Sequence, residues 1–535
     1  MQPIPAQIPI IEAVKAGKTI SVDAVPGGGK STILKMIDGM LMNRNFLSLM
    51  FSKNLAAELK SEFQFGTVAT LHAHGLKACS QHLRLTNIKM PVKKVNGQYE
   101  RSYVHEDVLD FAIFQYLKKE FQLASAIPKL LFIQNENIPF NIVVQTIAQI
   151  VDKIRLNAIH FSHHTNIHLK FDSMFGQEMV GHGINVLTEL VELYYRFRGQ
   201  IDYTGMLYVP VVLQEVSKQI ITPEILAVDE SQDSNPLMQE MYKLIAKNAK
   251  QVILLGDSNQ TIHIWNNTSP VAFSNLAKFF SAEAISYNVS FRLPKAVTNY
   301  LNISGLDRTI TAWTDKQGSI SEISLNKAMM KEFRPGDWVL GRFNRTKDKN
   351  FLSLEKLSIE LLKLGKNVRL LGSEYIAICK KGLALVGSST DPLRKLNEIV
   401  SEQIAKLDKE KGLNNYKSRR LLYELEIFTL YYNFYLGKNS KKDFISFLET
   451  MYSNDDETSI TLCTYHRSKG KEAKRIFLMH VDIIYADMVN AELSMAERIE
   501  ARNLLYVGIT RTLEYLFIID GKLPTEYPTL EYVEE

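Results

Sequence analysis

Apolar and polar positions along the chain alternate in two different rhythms. Thr19-Ile-Ser-Val-Asp-Ala-Val25 is a short, mainly apolar run that stops at Pro26-Gly-Gly-Gly29, which predicts a buried strand closed by a glycine turn. From Lys30 the period lengthens: Ile33, Leu34, Ile37 and Met40 fall on one face of a helix. A second short strand is predicted at Glu224-Ile-Leu-Ala-Val228, where the apolar residues end on two carboxylates, Asp229 and Glu230. Trp338-Val-Leu-Gly and Arg475-Ile-Phe-Leu-Met are further strand-like segments. Residues 77–204 read as helix-rich, with amphipathic stretches at Val108–Leu117 and Gly183–Tyr195. Residues 381–456 are charged and helical in pattern, most clearly from Leu393 to Tyr435.

Composition narrows the class. With 535 residues, 46% hydrophobic and 23% charged, the chain has material for sizeable cores and for three or four domains or subdomains. A net charge of +5 permits a nucleic-acid partner without demanding one. The three cysteines, Cys79, Cys379 and Cys463, are far apart and form no CxxC pair, so neither a zinc site nor a disulfide framework is expected; a reducing, cytoplasmic setting fits. The stretch from Met1 to Ile11 has no basic region followed by an apolar one, so no signal peptide is expected. No window reaches about 18 uninterrupted apolar residues, so neither is a membrane span.

The chemistry sits at the ends of the two predicted strands. Strand, glycine loop, Lys-Ser, helix is an arrangement that cradles phosphate: the glycines let backbone N–H groups turn inward onto phosphate oxygens. Pro26, Gly27, Gly28, Gly29, Lys30, Ser31 and Thr32 form the expected cradle, with Lys30 reaching the β- and γ-phosphates and the Ser31 hydroxyl ligating Mg²⁺. The strict pattern has glycine where Ala24 stands, and a small residue there still permits the turn. A phosphate-transferring site needs one acid for Mg²⁺ and another to activate the attacking water; Asp229 suits the first role and Glu230 the second. Ser231-Gln232-Asp233 extend the pair to DESQD, which is far more specific than an acidic strand end.

With these motifs in place, the chain resembles the UvrD/Rep/PcrA group of superfamily 1 DNA helicases, through an ordered series that covers most of its length. AVPGGGKST looks like motif I, FSKNLAAELK (Phe51 to Lys60) like motif Ia, and TLHAHG (Thr70 to Gly75) like the next strand-contacting motif. FRGQIDYTGML (Phe197 to Leu207) is similar to the family's IDFDDML segment. DESQD resembles motif II, LLGDSNQTIHIW (Leu254 to Trp265) motif III and SYNVSFRLP (Ser286 to Pro294) motif IV. TYHRSKGKEAKRIFL (Thr464 to Leu478) resembles motif V, and NLLYVGITRTLEYL (Asn503 to Leu516) motif VI.

The resemblance implies an α/β fold of two RecA-like P-loop motor domains with parallel sheets, each interrupted by a mainly helical insertion. The first motor would be 1–76 and 205–280 with insertion 77–204; the second would be 281–380 and 457–535 with a short insertion at 381–456. It implies ATP and Mg²⁺ as ligands. Gln7 would read adenine, Phe291 stack on it and Glu472 contact the ribose; Gln260 would couple the γ-phosphate to the strand-binding face. Arg292 and Arg511 would reach the γ-phosphate, where a guanidinium offers a planar fork of donors that keeps its charge.

Trp265 matches a base-stacking tryptophan, and Lys53, Asn54, Thr70, His72 and His466 sit in strand-contacting motifs where polar groups grip phosphates or sugars. His263 and Ile264 stand where the family has Tyr and Arg in YRW, and Lys471 replaces an apolar residue in KGLE; neither removes a residue of the ATP chemistry. His160, His163, His164 and His168 crowd together with only Asp172 beside them, which fits a polar surface turn better than a metal site.

The implied activity is ATP-driven, 3′-to-5′ movement on single-stranded DNA by a monomer acting at single-strand/duplex junctions, with no membrane partner. Backbone grip and stacking do not read the sugar, so these residues do not separate DNA from RNA. Translocation without unwinding, as the motor of a repair, replication or phage-defence complex, stays open because 381–456 is short for the family's insertion. A scaffold with a dead ATPase is opposed by the intact set of Lys30, Ser31, Asp229, Glu230, Gln260, Arg292 and Arg511.

Overall fold

The computed structural model describes residues 3–42, 45–95, 98–104, 152, 155–157, 195, 199–305, 308–344, 352–371, 375–411, 416–435, 441–451 and 457–532. The amphipathic stretches expected at 108–117 and, but for Tyr195, at 183–195, the histidine cluster at 160–168 and Phe197 lie outside the described residues. The chain forms two compact units, one of Met1–Asp23, Lys30–Ser258 and His263–Tyr287, the other of Ala24–Gly29, Asn259–Ile262 and Asn288–Glu535. The architecture is α/β, with a six-stranded sheet for each unit.

In the first unit, β1 (Ile20–Ala24), β2 (Phe46–Met50), β3 (Thr67–Thr70), β6 (Ile225–Val228), β7 (Gln251–Gly256) and β8 (Glu283–Tyr287) lie in the order β3-β2-β6-β7-β1-β8. The pairings β1–β7, β2–β3, β2–β6 and β6–β7 are all parallel. Every residue of β2, β6 and β7 is buried, as expected of strands covered on both faces, and this is why they read as continuous apolar runs. Leu47, Leu49, Leu226, Val228 and Leu254 form one core with Leu71, Met206, Leu237 and Phe273. The helices after the strands start on side-chain caps: Ser52 accepts from Leu55 N–H, Thr70 from Ala73 N–H and Asn235 from Met238 N–H. Helix Gly205–Val212 runs so close to helix Leu71–Leu85 that a Cβ on Gly75 would meet the Met206 carbonyl oxygen at 2.2 Å.

The described part of 77–204 includes an antiparallel hairpin, β4 (Val92–Val95) with β5 (Gln98–Arg101). Within the same segment Arg155 makes a buried ion pair with Asp202 at 2.7 Å, and Asp202 also accepts from Gly205 N–H at the start of helix Gly205–Val212. β8 joins the first sheet beside β1, so residues 283–287, expected at the start of the second motor, extend the first sheet instead.

The second unit carries a two-stranded parallel ladder, β9 (Val289–Ser290) with β10 (Thr311–Ala312). Its main sheet holds β11 (Ser319–Ile323), β12 (Trp338–Gly341), β13 (Val368–Leu370), β14 (Ile460–Thr464), β15 (Ala473–Leu478) and β16 (Thr512–Ile519), ordered β11-β16-β15-β12-β14-β13 and parallel throughout. Residues 381–456 supply helices Pro392–Lys411, Tyr416–Tyr435 and Lys441–Met451. Helix Tyr375–Val386 runs straight across the expected boundary at 380/381. Leu396, Val400, Phe428, Phe444 and Leu448 from this segment share one apolar cluster with Val339, Leu462, Phe477 and Ile519 of the sheet.

Candidate functional site

The chemistry of the first unit gathers where parallel strands end, the place an α/β sheet offers for ligands. β1 ends at Ala24 just past Asp23, β6 leads directly into Asp229 and Glu230, and β7 into Asp257. Lys30, the first residue of helix Lys30–Met40, reaches back so that its Nζ lies 3.3 Å from Glu230 Oε1. Burial works against the Lys30 ammonium, but Glu230, Asp229 and Asp257 outweigh it and hold its pKa above the usual lysine value. Asp229 goes the other way: burial, then the neighbouring Glu230 carboxylate, push its carboxyl up to about 7 against the attraction of Lys30.

Glu230 takes a left-handed backbone, φ 51° and ψ 42°, which a non-glycine residue adopts at a cost. Gln232 holds the turn: its Nε2 donates to Glu230 and its Oε1 accepts from Asp257 N–H at 3.1 Å. Ser258 donates through both N–H and Oγ to Asp23, so the three strand ends are laced together.

Asp229 Oδ1 is buried without a hydrogen-bond partner among the described residues. A buried, unpartnered carboxylate oxygen beside a second carboxylate suits a hard divalent cation with oxygen ligands, and Asp229 and Ser31 are the residues that would hold it. Among the described residues no group of three or more His, Cys, Asp or Glu side chains forms a metal cage.

The glycine loop and the arginines belong to the second unit. Gly27 and Gly29 have φ of 70° and 73°, and Gly28 N–H closes a turn on Val25 O. The Ser290 hydroxyl donates to Pro26 O at 2.6 Å, and Phe291 N–H to Gly27 O at 2.9 Å. A Cβ at Gly27 would lie 2.3 Å from Arg292 Cβ, so this position admits only glycine for two independent reasons. Arg292 donates through Nε to Glu472 and through Nη1 to Thr510 O. Arg511 is fully buried, donating to Val507 O at 2.9 Å, Thr510 Oγ1 at 3.1 Å, Lys471 O at 3.3 Å and Gln260 Oε1 at 3.4 Å.

Four residues placed at the nucleotide by resemblance are thus engaged with one another in two pairs: Arg292 with Glu472, and Arg511 with Gln260. Gln7 is buried and its Oε1 accepts from Ile4 N–H, while Ser31 and Thr32 are half-buried at the start of their helix.

The expected strand-contacting residues divide by environment. Lys53 and Asn54 are exposed in the first turn of helix Lys53–Glu62. Trp265 is 73% exposed, and its ring meets His263 edge-on at 5.9 Å, while His263 stacks on exposed Phe51 at 5.7 Å. The His263 substitution therefore keeps a ring in the row. His72 stacks on Tyr203 with centroids 3.8 Å apart, and Tyr203 is itself exposed. Burial, helped by Lys53, lowers the His72 pKa to about 4. The Thr70 hydroxyl is spent on its helix cap, and His466 in the second unit lies 3.9 Å from Glu500.

Sequence reading missed Asp257, Gln232, Tyr203 and Trp313. Asp257 was findable, because it ends the apolar run Gln251–Gly256 just as Asp229 ends its own strand. Gln232 and Tyr203 stood inside the quoted motifs DESQD and FRGQIDYTGML without a role of their own, and Trp313 carried no signal without its contacts.

A family model described as an AAA domain matches residues 7–266. The chain is similar to ATP-dependent DNA helicase PcrA of Bacillus subtilis, 20% identical over 425 residues that cover 59% of this chain and 57% of that protein. It is also similar to ATP-dependent DNA helicase Rep of Buchnera aphidicola, 27% identical over 146 residues (25% and 22% of the two chains), and to DNA helicase II of Haemophilus influenzae, 28% identical over 93 residues (17% and 12%). The chain spans less than two thirds of the length of each of these relatives.

Proposed function

Taking the chain as a UvrD/Rep/PcrA-like superfamily 1 protein, we propose that it hydrolyses ATP to move 3′ to 5′ along single-stranded DNA and to separate duplex at a junction. The observation that carries this reading is the cluster at the carboxyl ends of β1, β6 and β7: Lys30 among Glu230, Asp229 and Asp257, with one Asp229 oxygen buried and unpartnered. Lys30 and the loop amides bind the phosphate chain. Mg²⁺, held by Asp229 and Ser31, would supply charge neutralisation between the phosphates. Glu230, fixed by Gln232, takes the proton from the attacking water as that water displaces ADP, leaving inorganic phosphate. Arg292 and Arg511 exchange Glu472 and Gln260 for γ-phosphate oxygens when nucleotide binds, and in doing so report its presence to the segment that carries Gln260. The exposed rings of Phe51, Trp265 and Tyr203, with Lys53 and Asn54, supply stacking and phosphate grip without base readout.

Strand separation on two matched DNA duplexes, one with a 3′ and one with a 5′ single-stranded tail, tests this, with Lys30→Ala as control. The expected result is unwinding from the 3′ tail alone, abolished in the variant; unwinding from the 5′ tail alone overturns the polarity. A second reading, translocation without unwinding, is supported by residues 381–456: they share a core with the sheet of the second unit. Strand-stimulated ATP hydrolysis with no unwinding from either tail favours it.

A further inference from the structure

The second unit displays a pair of large aromatic rings beside the glycine loop, and only one of them was expected there. Phe291 is 37% exposed and Trp313 is 54% exposed, and their ring centroids lie 5.7 Å apart at an interplanar angle of 59°. A tilted pair at this distance leaves a face of one ring and an edge of the other open to a third ring.

The pair is built, not incidental. β9 and β10 pair in register, Val289 with Thr311 and Ser290 with Ala312, so Phe291 and Trp313 follow as the next opposed positions. Thr311 N–H donates to Asn288 O and Trp313 N–H to Ser290 O, both at 2.8 Å. On the far side of Trp313, Lys295 N–H donates to Lys316 O and Ala296 N–H to Gln317 O, and the Lys295 ammonium pairs with Asp315 at 2.9 Å. The Trp313 backbone is therefore fixed on both sides. The same strand end is bonded to the glycine loop through Phe291 N–H to Gly27 O and Ser290 Oγ to Pro26 O.

Two exposed rings, rigidly held and registered to a phosphate-cradling loop, form a feature whose chemistry is recognition of a flat heterocycle attached to that phosphate. We propose that Trp313 forms, with Phe291, a two-walled seat for the nucleobase of the bound nucleoside triphosphate, and that Trp313 sets its preference for the larger purine ring. The inference deepens the nucleotide reading above and rests on it for the identity of the phosphate ligand. Stacking area grows with ring size, so the loss of Trp313 costs a purine nucleotide more than a pyrimidine one.

The test is steady-state hydrolysis of ATP and CTP in the presence of single-stranded DNA, with a parallel titration of tryptophan fluorescence by each nucleotide, for the full chain and for Trp313→Ala and Trp313→Phe. Trp313→Ala is expected to raise KM for ATP about tenfold, more than it lowers kcat, and to narrow the ATP/CTP ratio of kcat/KM. Trp313→Phe is expected to restore KM while losing the fluorescence quench, because the base then stacks on a ring that does not report. KM within twofold of the parent in Trp313→Ala, or a quench that persists in Trp313→Phe, overturns the inference. The two readings fail separately: a parent chain that hydrolyses nothing yet shows a Trp313-dependent quench sinks the motor and supports the base seat.

Discussion

His72 shows how one side chain divides grip from charge. A strand-contacting histidine invites the reading that it meets phosphate as a cation. Burial and the nearby Lys53 put its pKa at about 4, so at physiological pH it is a neutral ring stacked on Tyr203. DNA affinity is therefore expected to show no rise from this residue between pH 8 and pH 6. The stability consequence has a definite sign. The folded pKa lies below the ordinary value of about 6.5, so as pH falls from there toward 4 the unfolded chain takes up a proton that the folded chain refuses. The stability this residue contributes is complete above about pH 6.5 and is lost as pH falls toward 4. His72→Phe keeps the ring and removes the titration, so the variant should lose less melting temperature than the parent between pH 7.5 and pH 5, by about 1–3 °C. Parallel losses in the two proteins would show that His72 titrates normally.

At the scale of elements, the approach of helix Tyr375–Val386 to helix Tyr416–Tyr435 turns on one glycine. A Cβ on Gly382 would lie 2.5 Å from Phe428 Cδ2, and the Phe428 ring is fully buried. Phe428→Ala should destabilise the second unit by about 3–5 kcal/mol, the usual cost of emptying a core aromatic. Gly382→Ala gains helix propensity but forces the ring to move, a net loss of about 1–3 kcal/mol. In the double variant the methyl enters the space the ring has left, so the two losses should not add, and thermal melts of the four proteins measure that coupling. Strict additivity would mean that the helices do not touch there.

The sequence announced a helical pattern over Tyr416–Tyr435 but neither helix Tyr375–Val386, which crosses the expected boundary, nor the packing of the two, because periodicity finds an apolar face and not its partner. The strand-loop-helix at Lys30 and the acidic strand end at Asp229 were legible for the opposite reason: their chemistry is local, within a dozen residues of chain. Between these cases stand β8, whose Glu-Ala-Ile-Ser-Tyr shows no strong apolar face and so hid its place beside β1, and the β9–β10 ladder, two residues long and too short for any period to register. Trp313 was invisible because its significance lies in what stands opposite it.

Across the whole molecule, the segment expected to be an insertion raises the largest question. An insertion that acts as a module has its own core. Residues 381–456 instead place Leu396, Val400, Phe428, Phe444 and Leu448 in the same cluster as Val339, Leu462, Phe477 and Ile519, the residues that make the sheet cohere. Removing 388–456 and joining the ends with a short Gly/Ser linker would expose the face of helix Tyr375–Val386 that carries Ile378, Cys379 and Leu383 to water. At about 25 cal/mol per Å² of apolar surface, a few hundred Å² newly exposed costs roughly 5–10 kcal/mol, comparable with the 5–15 kcal/mol by which folded domains are usually stable. The shortened chain is therefore expected to lose cooperative unfolding of the second unit, seen as the disappearance of a calorimetric transition, and with it the proposed ATP hydrolysis, in which Arg292 and Arg511 of that unit are assigned a part. A shortened chain that melts as sharply as the parent and keeps its hydrolysis would show a dispensable module. Loss of both would mean that this segment holds the second sheet together, which leaves it no freedom to swing as a regulator of unwinding and favours control of the motor by something outside these residues.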